Sequence, residues 1–251
     1  MEASLISASD CDGTPFTICT PKDSGKVIDF LRSGEYEICA SAGCPFILPI
    51  SKLPQDKVFI NSHPSALPFG KGIHPINECI IGTHKKSGST LHYLIDKLDA
   101  GDIIHQATFD ITDDIDLDLL YTFIFKLEQE VFDVGLEKVL SANLKFVGTP
   151  QSGTGTYYSR KPEDQNVDAR NIATKDFLTK VRAFSSENLG AKVTIDGMTI
   201  LAFRAQEIEN RFIIDRYNAT PPGSLIFATS RFLLLRLKDG LVRVDRWRTS
   251  R

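Results

Sequence analysis

The chain has 251 residues, 42% of them hydrophobic and 24% charged, with a net charge of −3, which is ordinary globular composition with room for one large domain or a medium and a small one. That balance disfavours an obligate polyanion binder, no apolar run approaches the length of a membrane span, and Met1-Glu2-Ala3-Ser4 lacks the basic start of a secretion signal. Five cysteines (Cys11, Cys19, Cys39, Cys44, Cys79) include no Cys-x-x-Cys pair, so neither a disulfide framework nor a cysteine zinc site is supported, and a reduced, cytoplasmic setting is expected.

In chain order, the first 110 residues read as α/β. A helix over 26–32, closed by Gly34, precedes a short apolar strand over 37–42, and Val58-Phe59-Ile60 is a second run of the kind buried in a parallel sheet. Pro75 opens a helical segment at a first-turn position, where its missing N–H leaves no bond unmade. Strands are expected over 91–95 and 103–111. The clearest helix is 116–140, where Leu117, Leu120, Tyr121, Ile124, Leu127, Val131 and Val134 recur at three- and four-residue steps. Residues 147–155, rich in Gly and Thr, read as a linker. Beyond it, Thr174 is expected to cap a helix over 175–184, and Asp196-Gly197 and Asp239-Gly240 sit between β-rich runs as hairpin turns.

The expected fold class is α/β: a Rossmann-like, mostly parallel sheet over 1–150, and a smaller module of a helix plus antiparallel β-hairpins over 151–251. Charge follows the same division. Residues 1–150 hold 12 Lys/Arg against 21 Asp/Glu, and residues 201–251 hold 10 against 5. Alternation along strands makes Arg231, Arg236, Arg243, Arg246, Arg248 and Arg251 a solvated face sooner than a phosphate site.

Chemistry concentrates in Asn61-Ser62-His63-Pro64-Ser65-Ala66-Leu67-Pro68-Phe69-Gly70-Lys71-Gly72 and in Leu98-Asp99-Ala100-Gly101-Asp102. An amide, an imidazole and a carboxylate are the groups that acyl transfer to an amine requires: a base for the amine proton, a donor to the developing oxyanion, and an acid to orient the base. Asn61 follows a strand, so it is expected at a carboxyl end of the sheet, where open α/β sheets bind ligands. The two-residue offset lets Asn61 and His63 face one crevice. Pro64 and Pro68 stiffen the loop, and Gly70 and Gly72 permit tight turns. Each residue alone has an ordinary structural explanation; their combination is what carries the reading. His84, His92, His105 and Cys79 have no standard metal-ligand spacing, so no metal site is expected.

The ordered set, with Gly88-Ser89-Thr90-Leu91-His92 between the two motifs and 36 residues from His63 to Asp99, resembles the N10-formyltetrahydrofolate-dependent formyltransferase family. The resemblance implies Asn61, His63 and Asp99 as the catalytic trio and N10-formyltetrahydrofolate as formyl donor. It also implies a folate pocket along Cys44, Phe46, Ile47 and Leu48 on one side and Ile95, Leu98 and Asp102 on the other. Relatives commonly carry about one βαβ unit more before the asparagine, roughly 30 residues; here either that unit is missing or Met1–Ser9 is its remnant strand.

Gly72-Ile73-His74-Pro75-Ile76 and Tyr157-Tyr158-Ser159-Arg160-Lys161-Pro162-Glu163-Asp164 are similar to the branch acting on nucleotide-linked amino sugars, which implies a dTDP-amino-dideoxyhexose acceptor and a homodimer. Lys71 and His74 are expected toward the hexose or diphosphate, and Tyr157, Tyr158 and Arg160 toward the base or phosphate. The alternatives are a methionyl-tRNA formyltransferase or a formyltetrahydrofolate hydrolase on the same trio, or a non-catalytic relative. An acidic main domain makes a nucleic-acid acceptor the weaker expectation.

Overall fold

The computed structural model describes residues 20–250; Met1–Ser9, Cys11 and Cys19 lie outside the described residues. After α1 (Ser24–Ser33) the chain builds a four-stranded sheet in the order β1 (Ile38–Ala42), β2 (Val58–His63), β3 (Lys86–Tyr93), β4 (Ile103–Asp110). β1 and β2 are parallel, whereas β2–β3 and β3–β4 are antiparallel. The α/β class and its parallel start are present as expected, but among the described residues the parallel share is one pairing of three. For β3–β4 the physical reason is the short connection after Tyr93, which turns back at Leu98–Gly101 and leaves no length for a crossover helix.

Helix α2 (Pro75–Ile81) joins β2 to β3, and α3 (Leu117–Ser141) follows β4. Asp116 caps α3 by accepting from the Leu119 amide at 3.0 Å. Val131 and Val139 of α3 pack with Ile60, Leu91 and Ile104 of the sheet. Leu117, Leu120 and Ile124 join Ile76 and Ile80 of α2 and Phe184 in a second cluster. Each fully buried aliphatic side chain of this kind contributes about 1.5–3 kcal/mol. The opposite sheet face is covered by Leu31, Leu48, Leu53 and Phe59.

The second sheet has the order β5 (Asn166–Asp168), β6 (Ala191–Ile195), β7 (Met198–Glu207), β10 (Leu241–Thr249), β9 (Leu233–Arg236), β8 (Ser224–Ala228). Only β5–β6 is parallel. Its core includes Phe177 and Val181 of α4 (Thr174–Ala183), while Ala183 and Phe184 at the end of α4 join the cluster formed by α2 and the start of α3. A short helix, α5 (Arg211–Tyr217), lies between β7 and β8.

Several local expectations are corrected. The first hairpin forms as expected, with Asp196 and Gly197 both at positive φ (46° and 76°), the geometry of a type I′ turn. In the second, the Leu237 amide bonds the Gly240 carbonyl at 2.9 Å, so Lys238 and Asp239 form the tip, one residue earlier than read. Asp239 is thereby freed for another task. Its carboxylate accepts from the Thr174 amide at 2.8 Å and the Thr174 hydroxyl at 2.9 Å, so α4 is capped from the turn and Thr174 is its first helical residue. β3 starts at Lys86 because Ser87, Ser89 and Thr90 are buried strand residues, which a hydrophobicity pattern hides. The 147–155 segment is pinned to the first sheet: Thr149 and Ile103 exchange two backbone bonds of 2.8 Å.

Candidate active site

β2 runs three residues further than Val58-Phe59-Ile60 suggested, so Asn61 and His63 are themselves strand residues. Alternation along a strand places both on one face, and pairing with β3 sets Asn61 opposite His92 and His63 opposite Thr90. Asp99 arrives from the turn between β3 and β4 with φ at 47°, an uncommon conformation for a side-chain-bearing residue. All three are buried: Asn61 is 9% exposed, His63 and Asp99 5% each.

The hydrogen bonds fix the chemical state of each group. His63 Nε2 lies 2.8 Å from the Gly70 carbonyl oxygen. A carbonyl only accepts, so Nε2 carries the proton and the neutral ring keeps its lone pair on Nδ1. Nδ1 lies 3.8 Å from Asp99 Oδ1. The other carboxylate oxygen of Asp99 accepts from the Gly72 amide at 2.9 Å. One oxygen therefore anchors Asp99 and the other faces the imidazole.

His92 completes the arrangement. Its Nδ1–H donates to the Tyr93 carbonyl at 2.8 Å, which leaves Nε2 to accept from Asn61 Nδ2 at 3.2 Å. Burial, the largest influence, holds its pKa down to about 4, so the ring is neutral near pH 7. A neutral acceptor there fixes the Asn61 amide with nitrogen toward His92 and its second N–H unspent. Sequence reading counted His92 in the Gly88-Ser89-Thr90-Leu91-His92 motif and rejected it as a metal ligand, but gave it no place beside Asn61; that motif, in the strand paired with the one carrying Asn61 and His63, was the available signal. Among the described residues no group of three or more His, Cys, Asp or Glu is arranged to hold a metal ion.

A cavity of about 420 Å³ opens beside the trio, lined by Asn61, His63 and Asp99 together with Cys44, Phe46, Ile47, Leu48, Ile95 and Leu98. Six of the seven residues expected around folate therefore surround one space. Asp102 does not line it: it lies past the turn, where its carbonyl accepts from the Tyr93 amide at 3.0 Å, and Gly101 fits so closely on Tyr93 that a Cβ would meet the Tyr93 oxygen at 1.9 Å.

The five expected acceptor contacts fare differently, and none lines the cavity. The His74 ring accepts from the Arg160 amide at 3.2 Å, and the Arg160 guanidinium reaches Asn77 Oδ1 at 3.4 Å. The Tyr158 hydroxyl donates to Asp164 at 2.6 Å, and burial, followed by that bond, raises its pKa. His74 and Arg160 thus tie this segment to the start of α2, and Tyr158 braces it internally. Tyr157 is 61% exposed, its ring beside Gly72, and Lys71 is bridged to it through backbone. Tyr157 and Lys71 thus remain at the cavity mouth, next to Gly72 and Ile73, which do line it.

Residues 19–134, just under half of the chain, match the formyl transferase family. Among sequence relatives, the methionyl-tRNA formyltransferase of Mycoplasmopsis pulmonis is 25% identical over 198 residues, covering 78% of this chain and 68% of that protein. The chain spans about two thirds of the length of the curated relatives it matches. Among solved structures, HypX from Aquifex aeolicus in complex with tetrahydrofolic acid aligns with a TM-score of 0.65 at 22% identity, over 86% of this chain and 36% of that one. The N-formyltransferase from Helicobacter canadensis, in complex with folinic acid and dTDP-3-aminofucose, aligns with a TM-score of 0.62 at 19% identity, over 81% and 71%.

Proposed function

We propose that this protein transfers a formyl group from N10-formyltetrahydrofolate to the amine of a nucleotide-linked amino sugar, with a dTDP-amino-dideoxyhexose as the acceptor class. The observation that carries the reading is the convergence of Asn61, His63 and Asp99 at one end of a mostly apolar cavity whose volume suits a flat heterocycle. Phe46, Ile47, Leu48, Leu94, Ile95 and Leu98 would hold the donor's ring there. When bound, the donor supplies the formyl carbon and departs as tetrahydrofolate.

The chain's own groups do the rest. The second Asn61 N–H donates to the charge that develops on the formyl oxygen. His63 Nδ1, its lone pair facing the site, takes the proton of the attacking acceptor amine. Asp99 Oδ1 stabilises the imidazolium so formed, and His63 then returns the proton to the leaving nitrogen. Tyr157 and Lys71 at the mouth are the acceptor contacts that remain from the sequence reading, while His74, Tyr158 and Arg160 shape the segment carrying them. A boundary near residue 150, with a homodimer formed through the C-terminal module, belongs to the same reading; Phe212 and Phe227 leave apolar surface there.

Methionyl-tRNA formyltransferase is the second reading, favoured by the sequence relatives. One assay separates the two. The protein is given N10-formyltetrahydrofolate with dTDP-3-aminofucose, a dTDP-4-amino sugar, methionyl-tRNA or no acceptor, and tetrahydrofolate release is followed. Release with an amino sugar is expected; release only with methionyl-tRNA, or without any acceptor, overturns the proposal.

A further inference from the structure

We propose that residues 149–160 form a strap that positions both His63 and Asp99, with Thr156 and Gln151 as its positioning residues; as a statement about catalysis this rests on the function proposed above. The strap touches each of the two catalytic loops through a side chain.

Toward His63 the path is one peptide unit long at each step. The Thr156 hydroxyl accepts from the Gly70 amide at 2.8 Å, and the Gly70 carbonyl accepts from His63 Nε2 at 2.8 Å. Backbone bonds hold the register on either side: Lys71 N–H to the Thr156 carbonyl at 3.0 Å, Tyr158 N–H to the Lys71 carbonyl at 3.2 Å, and Thr156 N–H to the Pro68 carbonyl at 3.3 Å. The approach is too close for any side chain at Gly155, where a Cβ would meet the Pro68 oxygen at 1.9 Å. Gly70 itself has φ at 71°, so its carbonyl direction depends on partners at both ends.

Toward Asp99 the strap uses Gln151. Its amide donates to the Asp99 carbonyl at 3.0 Å and to the Gly101 carbonyl at 2.9 Å, gripping the turn on both sides of Ala100. That grip holds Asp99 at positive φ while the Gly72 amide holds its carboxylate. Gln151 Oε1 is buried without a protein partner among the described residues, so the two donated bonds are what orient the amide. Because the strap continues directly into Tyr157 at the cavity mouth, the element that meets the acceptor also sets the base and its carboxylate.

The position of the imidazole proton gives a readout that needs no substrate. In ¹⁵N-edited NMR at pH about 8, wild type is expected to show the His63 Nε2–H tautomer. Thr156→Val, which keeps the side-chain shape and removes the acceptor, should shift those signals toward a mixture, whereas Thr156→Ser should leave them in place. With dTDP-3-aminofucose as acceptor, Thr156→Val and Gln151→Met should each lower kcat about tenfold, the effect of losing one aligned hydrogen bond. Affinity for 5-formyltetrahydrofolate, used as a stable probe of the cavity, should stay within about twofold in Thr156→Val. If Thr156→Val does not fold, Thr156→Ala gives the same readout. A folded Thr156 variant lacking the hydroxyl whose His63 tautomer matches wild type overturns the strap. If wild type transfers to no acceptor, the proposed function fails, and the tautomer measurement still decides the strap.

Discussion

His63 and Gly70 are joined by a 2.8 Å hydrogen bond from the imidazole Nε2 to the backbone carbonyl, and that bond decides which ring nitrogen keeps its lone pair. A side-chain acceptor at Nε2 could exchange roles with water or substrate; a peptide carbonyl cannot donate, so the tautomer is fixed by the chain itself. The consequence is a lone pair on Nδ1 directed at Asp99 and the cavity instead of at solvent.

Gly70 should therefore tolerate no side chain. Its φ of 71° is strained for any L-residue, and an added Cβ would lie 3.0 Å from the Ser65 Cβ. Gly70→Ala is expected to lower stability by about 1 kcal/mol or more and to reduce kcat beyond what the stability loss explains. Denaturant midpoints and single-turnover rates on the folded fraction check both parts.

Asp99→Asn separates charge from shape. Asparagine adopts positive φ readily and can still accept from the Gly72 amide, so stability should change by less than about 0.5 kcal/mol. Without a negative charge beside Nδ1, the imidazolium loses its partner, and kcat should fall at least about a hundredfold. Retained turnover in a variant of unchanged melting temperature would remove Asp99 from the chemistry.

His92 makes stability depend on acid in a predictable direction. Its folded pKa of about 4 lies below the ordinary 6.5, chiefly through burial. As pH falls, the unfolded chain takes up the proton first. The contribution of the neutral ring is complete above about pH 6.5 and is lost between there and pH 4, by on the order of 3 kcal/mol. Denaturation of wild type and His92→Gln at about pH 7 and about pH 5 should show a steeper loss in wild type; equal losses contradict the assignment.

The cap on α4 is testable without reference to activity. Removing the Asp239 acceptor that serves Thr174 should cost about 1 kcal/mol in Asp239→Ala. Formyl transfer per folded molecule should be unchanged, because Asp239 belongs to a turn of the second sheet.

What sequence made legible was what neighbouring residues dictate. Helix α3 announces itself through apolar residues at three- and four-residue steps, the Asp196-Gly197 turn through its dipeptide, and the grouping of Asn61, His63 and Asp99 through motif and spacing. What it hid depends on residues far apart in the chain. Thr156 meets Gly70 across 86 positions and Gln151 meets Asp99 across 52, so a Gly- and Thr-rich stretch with the composition of a linker is instead a bound strap. Polar Ser87, Ser89 and Thr90 in a buried strand concealed the start of β3, and α5 has too few turns for periodicity to register. His74, Tyr158 and Arg160 looked like ligand contacts because polar side chains near a motif invite that reading; the fold spends His74 and Arg160 on one another and on Asn77 of α2, and Tyr158 on Asp164.

The most direct measurement is single-turnover formyl transfer from N10-formyltetrahydrofolate to an amino-sugar nucleotide, compared between wild type and His63→Ala, with 5-formyltetrahydrofolate affinity measured on both. The expected result is a rate at least about a hundredfold lower in the variant with donor-analogue affinity preserved. Equal rates in the two proteins would contradict the placement of the base at His63.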